Sequence, residues 1–437
     1  MYLGLNSEGV PICIDPTDLL THGVILGRTG SGKSGLTIAV LEEVAASGSS
    51  AIVFDPKGDL TNLALPLVNP KEFKDWVDPN LDHAELYAQA QRGLAVFGLN
   101  FGDVWDWRKA VDIKLFAPGK TYGGGKPLNV FPTFAPPRRA DLIPPRESAT
   151  KSVATVLRAL GEGHDPYAAP LVYMVKAVMQ AWSRNEGLPV EFWPGVLTEP
   201  SGALGSFGGM GVEEFFPKKQ RLKLARTVIG FHQQAERWLA GPQLDLHGLV
   251  AAEKPTVFVF SMRHLSEEDR FFFTSIVMQR LVEFMFETAA SQKLKLLCVL
   301  DEARGYLPPY PKNPPTKDPI CTLLAQGRAQ GIGMLIGTQN PMDLDYKALS
   351  NVGTWFVGRL RERDCARDLL AELKSRGVEA EQVRDLTQRN FLLLDKRGGS
   401  HNLQVRWCFS HLRGPLGSAE LADLSRDVPP RPEVPRT

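Results

Sequence analysis

Cysteine is scarce in this chain: five in 437 residues, Cys13, Cys298, Cys321, Cys365 and Cys408, with no C-x-x-C pair among them. Thiols scattered in this way exclude a disulfide scaffold and a zinc ribbon, and they suit a reducing compartment. Histidines number eight, and none of them are clustered at metal-ligand spacing. No stretch approaches the roughly 18 consecutive apolar residues that a membrane helix needs, and Met1 to Pro16 lacks the basic and apolar regions of a secretory leader. A cytoplasmic protein without membrane contact is therefore expected. An excess of either charge is missing too, since 50 Lys and Arg face 49 Asp and Glu. Contact with a polyanion would have to come from a local basic surface.

What is present is the composition of a soluble globular protein, 43% hydrophobic and 23% charged, in a chain long enough for two or three domains or one large α/β domain with an insertion. Short apolar runs bounded by turn residues alternate with longer amphipathic segments, the pattern of a mostly parallel sheet with crossover helices. The spacing predicts strands at Gly23–Leu26, Ser50–Phe54, Val111–Phe116, Thr256–Phe260, Leu296–Leu300, Gly333–Gly337 and Thr354–Gly358. Asn390–Leu394 and Leu403–Trp407 are expected as a closing antiparallel pair. Cys298, inside the run Leu296–Leu300, reads as a small hydrophobe filling a strand. From about Ala140 to Val250 helical periodicity takes over, at Ala149–Leu160, Leu171–Trp182 and Arg221–Leu239, together with a Gly-rich connector, Ser201–Gly211, expected as a plain loop. The organisation that follows is a first core part over residues 1–139, a helical insertion over 140–250, a second core part over 251–413 and a tail over 414–437.

Three segments carry chemistry. Gly27-Arg28-Thr29-Gly30-Ser31-Gly32-Lys33-Ser34, followed by Gly35, has the G-x-x-x-x-G-K-S form. Its glycines let successive backbone N–H groups turn toward phosphate oxygens, Lys33 can reach the β- and γ-phosphates, and the Ser34 hydroxyl can ligate Mg²⁺. An apolar strand precedes this loop, and an amphipathic helix, Leu36–Ala46, is expected after it. The second segment is the strand Leu296–Leu300 ending in Asp301-Glu302, where the Asp suits the metal and the Glu suits activation of water. The third is the strand Gly333–Gly337 running into Thr338-Gln339-Asn340-Pro341, whose amide at a strand tip is either a γ-phosphate sensor or an ordinary turn.

Together with Phe54-Asp55-Pro56-Lys57-Gly58-Asp59-Leu60, Gly327-Arg328-Ala329-Gln330-Gly331 and Arg359-Leu360, these segments closely resemble the HerA/FtsK superfamily of ring-forming motor ATPases. The resemblance spans both core parts. It implies a RecA-like P-loop core with a mostly parallel sheet, ATP and Mg²⁺ as cofactors, a homo-oligomer that is a hexamer, and double-stranded DNA as the usual cargo of the ring. It implies roles as well: Gln339 as the γ-phosphate sensor, Asp55, at the tip of the strand next to the P-loop, as a further acidic position near the nucleotide, and Arg328 as a cation at the γ-phosphate, in its own or a neighbouring subunit. Arg359 and Arg361 are alternative arginine fingers. Only 26 residues precede Gly27, too few for the N-terminal β-barrel of HerA itself.

Lys312 and Lys317, in the Pro-rich loop after the acidic pair, are the candidate contacts to nucleic acid. The leading functional expectation is a DNA translocase. The alternatives are a motor for a protein cargo, or a ring that gates a nuclease or other effector.

Overall fold

Runs such as Ala51-Ile52-Val53-Phe54 and Leu296-Leu297-Cys298-Val299-Leu300 show no polar alternation, so a strand made from them must be covered on both faces. The computed structural model describes residues 1–118, 126, 128–137, 144–162, 165, 167–239, 241–360, 371, 373–374 and 378–425. Thirteen strands are described: β1 (Tyr2–Leu5), β2 (Pro11–Cys13), β3 (Gly23–Leu26), β4 (Ser50–Asp55), β5 (Asp112–Phe116), β6 (Ser206–Phe207), β7 (Met210–Gly211), β8 (Thr256–Ser261), β9 (Leu296–Leu300), β10 (Ile332–Thr338), β11 (Thr354–Val357), β12 (Asn390–Leu394) and β13 (Ser400–Val405). All but β6 and β7 join one sheet in the order β5-β8-β4-β9-β10-β3-β11-β12-β13-β1-β2. The pairings from β5 to β11 are parallel, and those from β11 to β2 are antiparallel. Every residue of β3, β4, β8, β9, β10 and β11 is buried.

The sheet divides the core. Val24, Leu26, Ile52, Phe54, Leu300 and Ile336 face one layer, which includes the helices Pro145–Ala159, Ala169–Trp182, Glu267–Glu287 and Lys317–Gln326. Ile25, Val53, Leu297, Val299 and Leu335 face the other, with the helix Lys33–Ala46. Each such aliphatic side chain contributes about 1.5–3 kcal/mol on burial. The helices between residues 145 and 250 share one continuous apolar cluster with the sheet. The Gly-rich connector is a short 3-10 turn, Gly202–Gly205, followed by the two-residue strands β6 and β7.

One expectation changes, and one element had no counterpart in the sequence reading. The chain start forms a hairpin, β1–β2, that extends the sheet through β13. The helix after the glycine loop is also not amphipathic: Leu36, Ile38, Ala39, Val40, Leu41, Val44 and Ala45 are buried, and so is Glu42. It is enclosed because residues 406–410 close its second side. There the buried Arg406 donates to Glu42 Oε2 at 2.9 Å and to Glu43 Oε1 at 3.1 Å, while Glu42 also accepts the Phe409 and Ser410 N–H groups at 3.0 and 2.9 Å. Removing one member of such a buried pair costs about 3–5 kcal/mol.

His22, at the start of β3, gives the fold a pH dependence. Its Nδ1 accepts the Met334 N–H at 3.1 Å and its Nε2 donates to Leu324 O at 3.0 Å, so the neutral ring is fully used. Burial, with a lesser push from Arg328, lowers its pKa from 6.5 to about 4, against the Leu324 bond. A group whose folded pKa is depressed contributes stability that is whole above pH 6.5 and lost as pH falls toward 4, here about 3 kcal/mol. Urea unfolding at pH 7 and pH 4 should show this loss as an extra drop in the wild type relative to His22→Gln, and equal drops in the two proteins would refute it.

Candidate active site

In a parallel sheet the carboxyl ends of the strands share one edge, and ligands bind outside that edge. Here β3 ends in the glycine loop, β10 in Gln339, β9 in Asp301-Glu302 and β4 in Asp55, in the spatial order β3-β10-β9-β4. Asp55, expected on the strand next to the glycine loop, is not its neighbour in the sheet, because β10 and β9 lie between them.

The loop is a preformed cradle. Gly30 and Gly32 have φ of 81° and 98°, a left-handed backbone that non-glycine residues reach only at a cost. Its flanks are held by backbone bonds from Gly27 N–H to Thr338 O (3.3 Å), Arg28 N–H to Arg359 O (3.0 Å) and Arg389 N–H to Ser31 O (2.9 Å). Ser31 Oγ is buried with no hydrogen-bond partner, an unsatisfied group that an anion's oxygen or its water could satisfy. Lys33 begins the helix and is buried, and its Nζ donates to Gly27 O. Burial lowers its pKa to about 8, with Lys57 adding to the fall and Glu302 and Asp301 opposing it. Ser34 follows at the helix N-terminus, partly exposed.

Glu302 is the hub of the site. Its Oε2 accepts Gln339 Nε2 at 2.6 Å and Lys57 Nζ at 2.5 Å. Gln339 Oε1 in turn accepts the hydroxyl of Thr29 at 2.6 Å, so a continuous relay joins the glycine loop to the acid. Burial raises the Glu302 pKa, but the bond and charge of Lys57, the amide of Gln339 and the charge of Lys33 outweigh it and leave the carboxyl below its ordinary range. The backbone of Glu302 sits at φ 57°, a conformation that costs a non-glycine residue on the order of 1–3 kcal/mol and gathers at functional sites. β10 approaches closely: Ala303 N–H donates to Gly337 O at 2.7 Å, and a Cβ at Gly337 would come within 3.0 Å of Asp301 Oδ1.

Asp301 is buried, and burial raises its pKa to about 6, with Lys57 and Lys33 opposing and Glu302 reinforcing. Asp55 is fully buried and is raised to about 7, by burial first and by Asp301 next. Both of its oxygens are engaged, with Oδ1 accepting the Gly58 N–H at 2.7 Å and Oδ2 the Leu60 N–H at 2.9 Å. Asp55 thus builds the turn that carries Lys57. Lys57 belongs to the quoted Phe54–Leu60 motif but was assigned no role from sequence. Its signal was a cation two residues past a strand tip.

Other expected residues lie elsewhere. Arg328 is exposed in the turn Gly327–Gln330, before β10. The seven-residue strand separates it from Gln339 by about 20 Å at the usual rise, so it does not reach this chain's own site. Arg359 is at the site end, exposed, with its carbonyl on Arg28. Arg361 falls outside the described residues. Lys317 is corrected as a phosphate contact: its Nζ pairs with Asp345 Oδ2 at 2.7 Å and donates to Pro308 O at 2.8 Å, leaving the side chain 13% exposed. Lys312 is exposed. Arg304, just past the acidic pair, is a surface residue facing Asp343 at 3.7 Å. No helix among the described residues is long and apolar enough to cross a membrane.

Residues 1–99 match the family model described as the central domain of the helicase HerA. No curated protein matches the chain. Among solved structures, VirB4 of Thermoanaerobacter pseudethanolicus aligns with 93% of this chain and 96% of its own at 13% identity and a TM-score of 0.53. The bacterial conjugative coupling protein TrwB, in an unbound form, aligns with 95% of this chain and 90% of its own at 13% identity and the same TM-score. TrwB in complex with ADP and Mg²⁺ does so with 95% and 92% covered, at 12% identity and a TM-score of 0.53. The first 99 residues thus resemble the HerA central domain, and the chain as a whole has the α/β fold seen in VirB4 and TrwB.

Proposed function

We propose that the chain is an ATP-hydrolysing motor of the HerA/FtsK type. The observation that carries this reading is the relay Thr29–Gln339–Glu302, which ties the phosphate loop to a carboxylate kept ionised on the adjoining strand tips. Lys33 and the loop N–H groups bind the phosphates, and Glu302 orients and deprotonates the attacking water. Ser34 and Asp301 would hold Mg²⁺, which offsets phosphate charge. Gln339 senses the γ-phosphate through its bonds to both loop and base. In this reading residues 1–139 and 251–413 form one ATPase core, 140–250 an insertion and 414–437 a tail.

The working unit is a ring, a hexamer in this reading. Arg328, exposed at the edge opposite its own site, would serve a neighbour's γ-phosphate, and a cation of this kind accelerates phosphoryl transfer by about 10³ to 10⁵. Double-stranded DNA is the first cargo to test. A protein cargo, as a secretion or conjugation motor, is favoured by one observation: the ion pair of Lys317 with Asp345 removes a cation from the loop that would face backbone phosphates. ATPase rate with and without duplex DNA, over a series of salt concentrations, separates the two. DNA translocation requires stimulation that fades with salt. A rate indifferent to DNA leaves the protein cargo, and full turnover by a stable monomer overturns the ring.

A further inference from the structure

The turn after β4 combines a rigid base with a movable tip. Asp55 fixes the backbone at Gly58 and Leu60, and Pro56 limits the chain between Asp55 and Gly58. Gly58 lies against Pro415, whose Cβ would be 2.9 Å from an added methyl group. The Lys57 side chain beyond this anchor is 40% exposed, and Glu302 is its ion-pair partner. Its ammonium is close enough to Lys33 to disfavour the charge there and close enough to Asp301 to stabilise that carboxylate. It therefore stands among the three groups to which phosphate binding, metal binding and water activation are assigned.

We propose that Lys57 reports the terminal phosphate to the base: its ammonium pairs with Glu302 until a γ-phosphate, held by Lys33, competes for it, and its transfer to that phosphate frees Glu302 Oε2 for water. This rests on the nucleotide-hydrolysing reading above. The competition is uneven in the right sense, because a terminal phosphate carries more negative charge and more acceptor oxygens than one carboxylate. Gln339 cannot take this part alone, since a neutral amide changes little of the base's charge balance when it moves. Glu302 Oε2 holds two donors at once, and a carboxylate oxygen so occupied is a poor acceptor for a third proton. In the ground state Lys57 is a positioning residue. With nucleotide bound it touches substrate.

The test compares equilibrium binding of ADP and of a non-hydrolysable ATP analogue to the full chain with Mg²⁺. In Lys57→Met the analogue should weaken about tenfold, the size of one charged hydrogen bond, while ADP stays within about twofold. Lys57→Arg should recover part of the difference. In Glu302→Gln the ammonium has no anion to leave, so the analogue should bind several-fold tighter relative to ADP, and this gain should vanish in Lys57→Met/Glu302→Gln. Equal weakening of ADP and analogue in Lys57→Met would mean that the residue only shapes the turn. A gain that survives the double substitution would also overturn the proposal. Failure of the underlying reading looks different, because the wild type itself would then bind neither nucleotide.

Discussion

Glu302→Gln should lower steady-state ATP turnover by about 10² to 10⁴, the usual worth of a positioned general base, while nucleotide binding is kept. The substitution is nearly isosteric. It leaves an oxygen to accept Gln339 or Lys57 and removes the charge that could take a proton. The left-handed backbone at Glu302 and its two short bonds locate the side chain before any substrate arrives, so little of the loss would come from misplacement. Single-turnover hydrolysis beside equilibrium binding makes the measurement. Turnover at the parent rate would mean that another group activates the water, and the assignment to Glu302 would have to be withdrawn.

Lys33→Ala should abolish nucleotide affinity or turnover, by about 10² or more, because an ammonium reaching two phosphate oxygens loses about 1.5–3 kcal/mol per charged hydrogen bond. The same change should leave the fold intact. Lys33 is buried and its charge is disfavoured there, as the fall of its pKa to about 8 records, so its removal relieves a desolvation cost. The expected pattern is a melting temperature at or above that of the wild type with the chemistry gone. Normal nucleotide binding together with normal turnover in this variant would overturn the placement of phosphate on the glycine loop.

The parallel strands were legible because a strand buried on both faces has to be written as an unbroken apolar run, and β3, β4, β8, β9 and β10 are such runs. Strand direction was legible too, and it bears on Arg328: a residue before a parallel strand and one after it, such as Gln339, lie at opposite edges. The hairpin of β1 and β2 escaped because four- and three-residue strands are too short to show a period, and β1 finds its sheet partner in β13, near the other end of the chain. Lys317 looked like a free cation because its partner Asp345 is brought in by tertiary packing. The relay around Glu302 joins Thr29, Lys57 and Gln339 across separations of 245 and 310 residues. No local pattern reports such a meeting, although every residue in it stood in a motif that could be quoted.

The clasp of Arg406 on the helix that follows the glycine loop sets an order on biosynthesis. The loop and its helix leave the ribosome early, but Arg406 follows Glu43 by 363 residues, and until it arrives Glu42 is a carboxylate destined for the interior with no counter-charge. A nascent chain in that condition can form only a loosened version of the nucleotide cradle, because closing it would bury an unpaired anion at a cost of several kcal/mol. The strands that finish the sheet are also the last made. Tight closure of the glycine loop's helix is thereby deferred until residue 406 has been made.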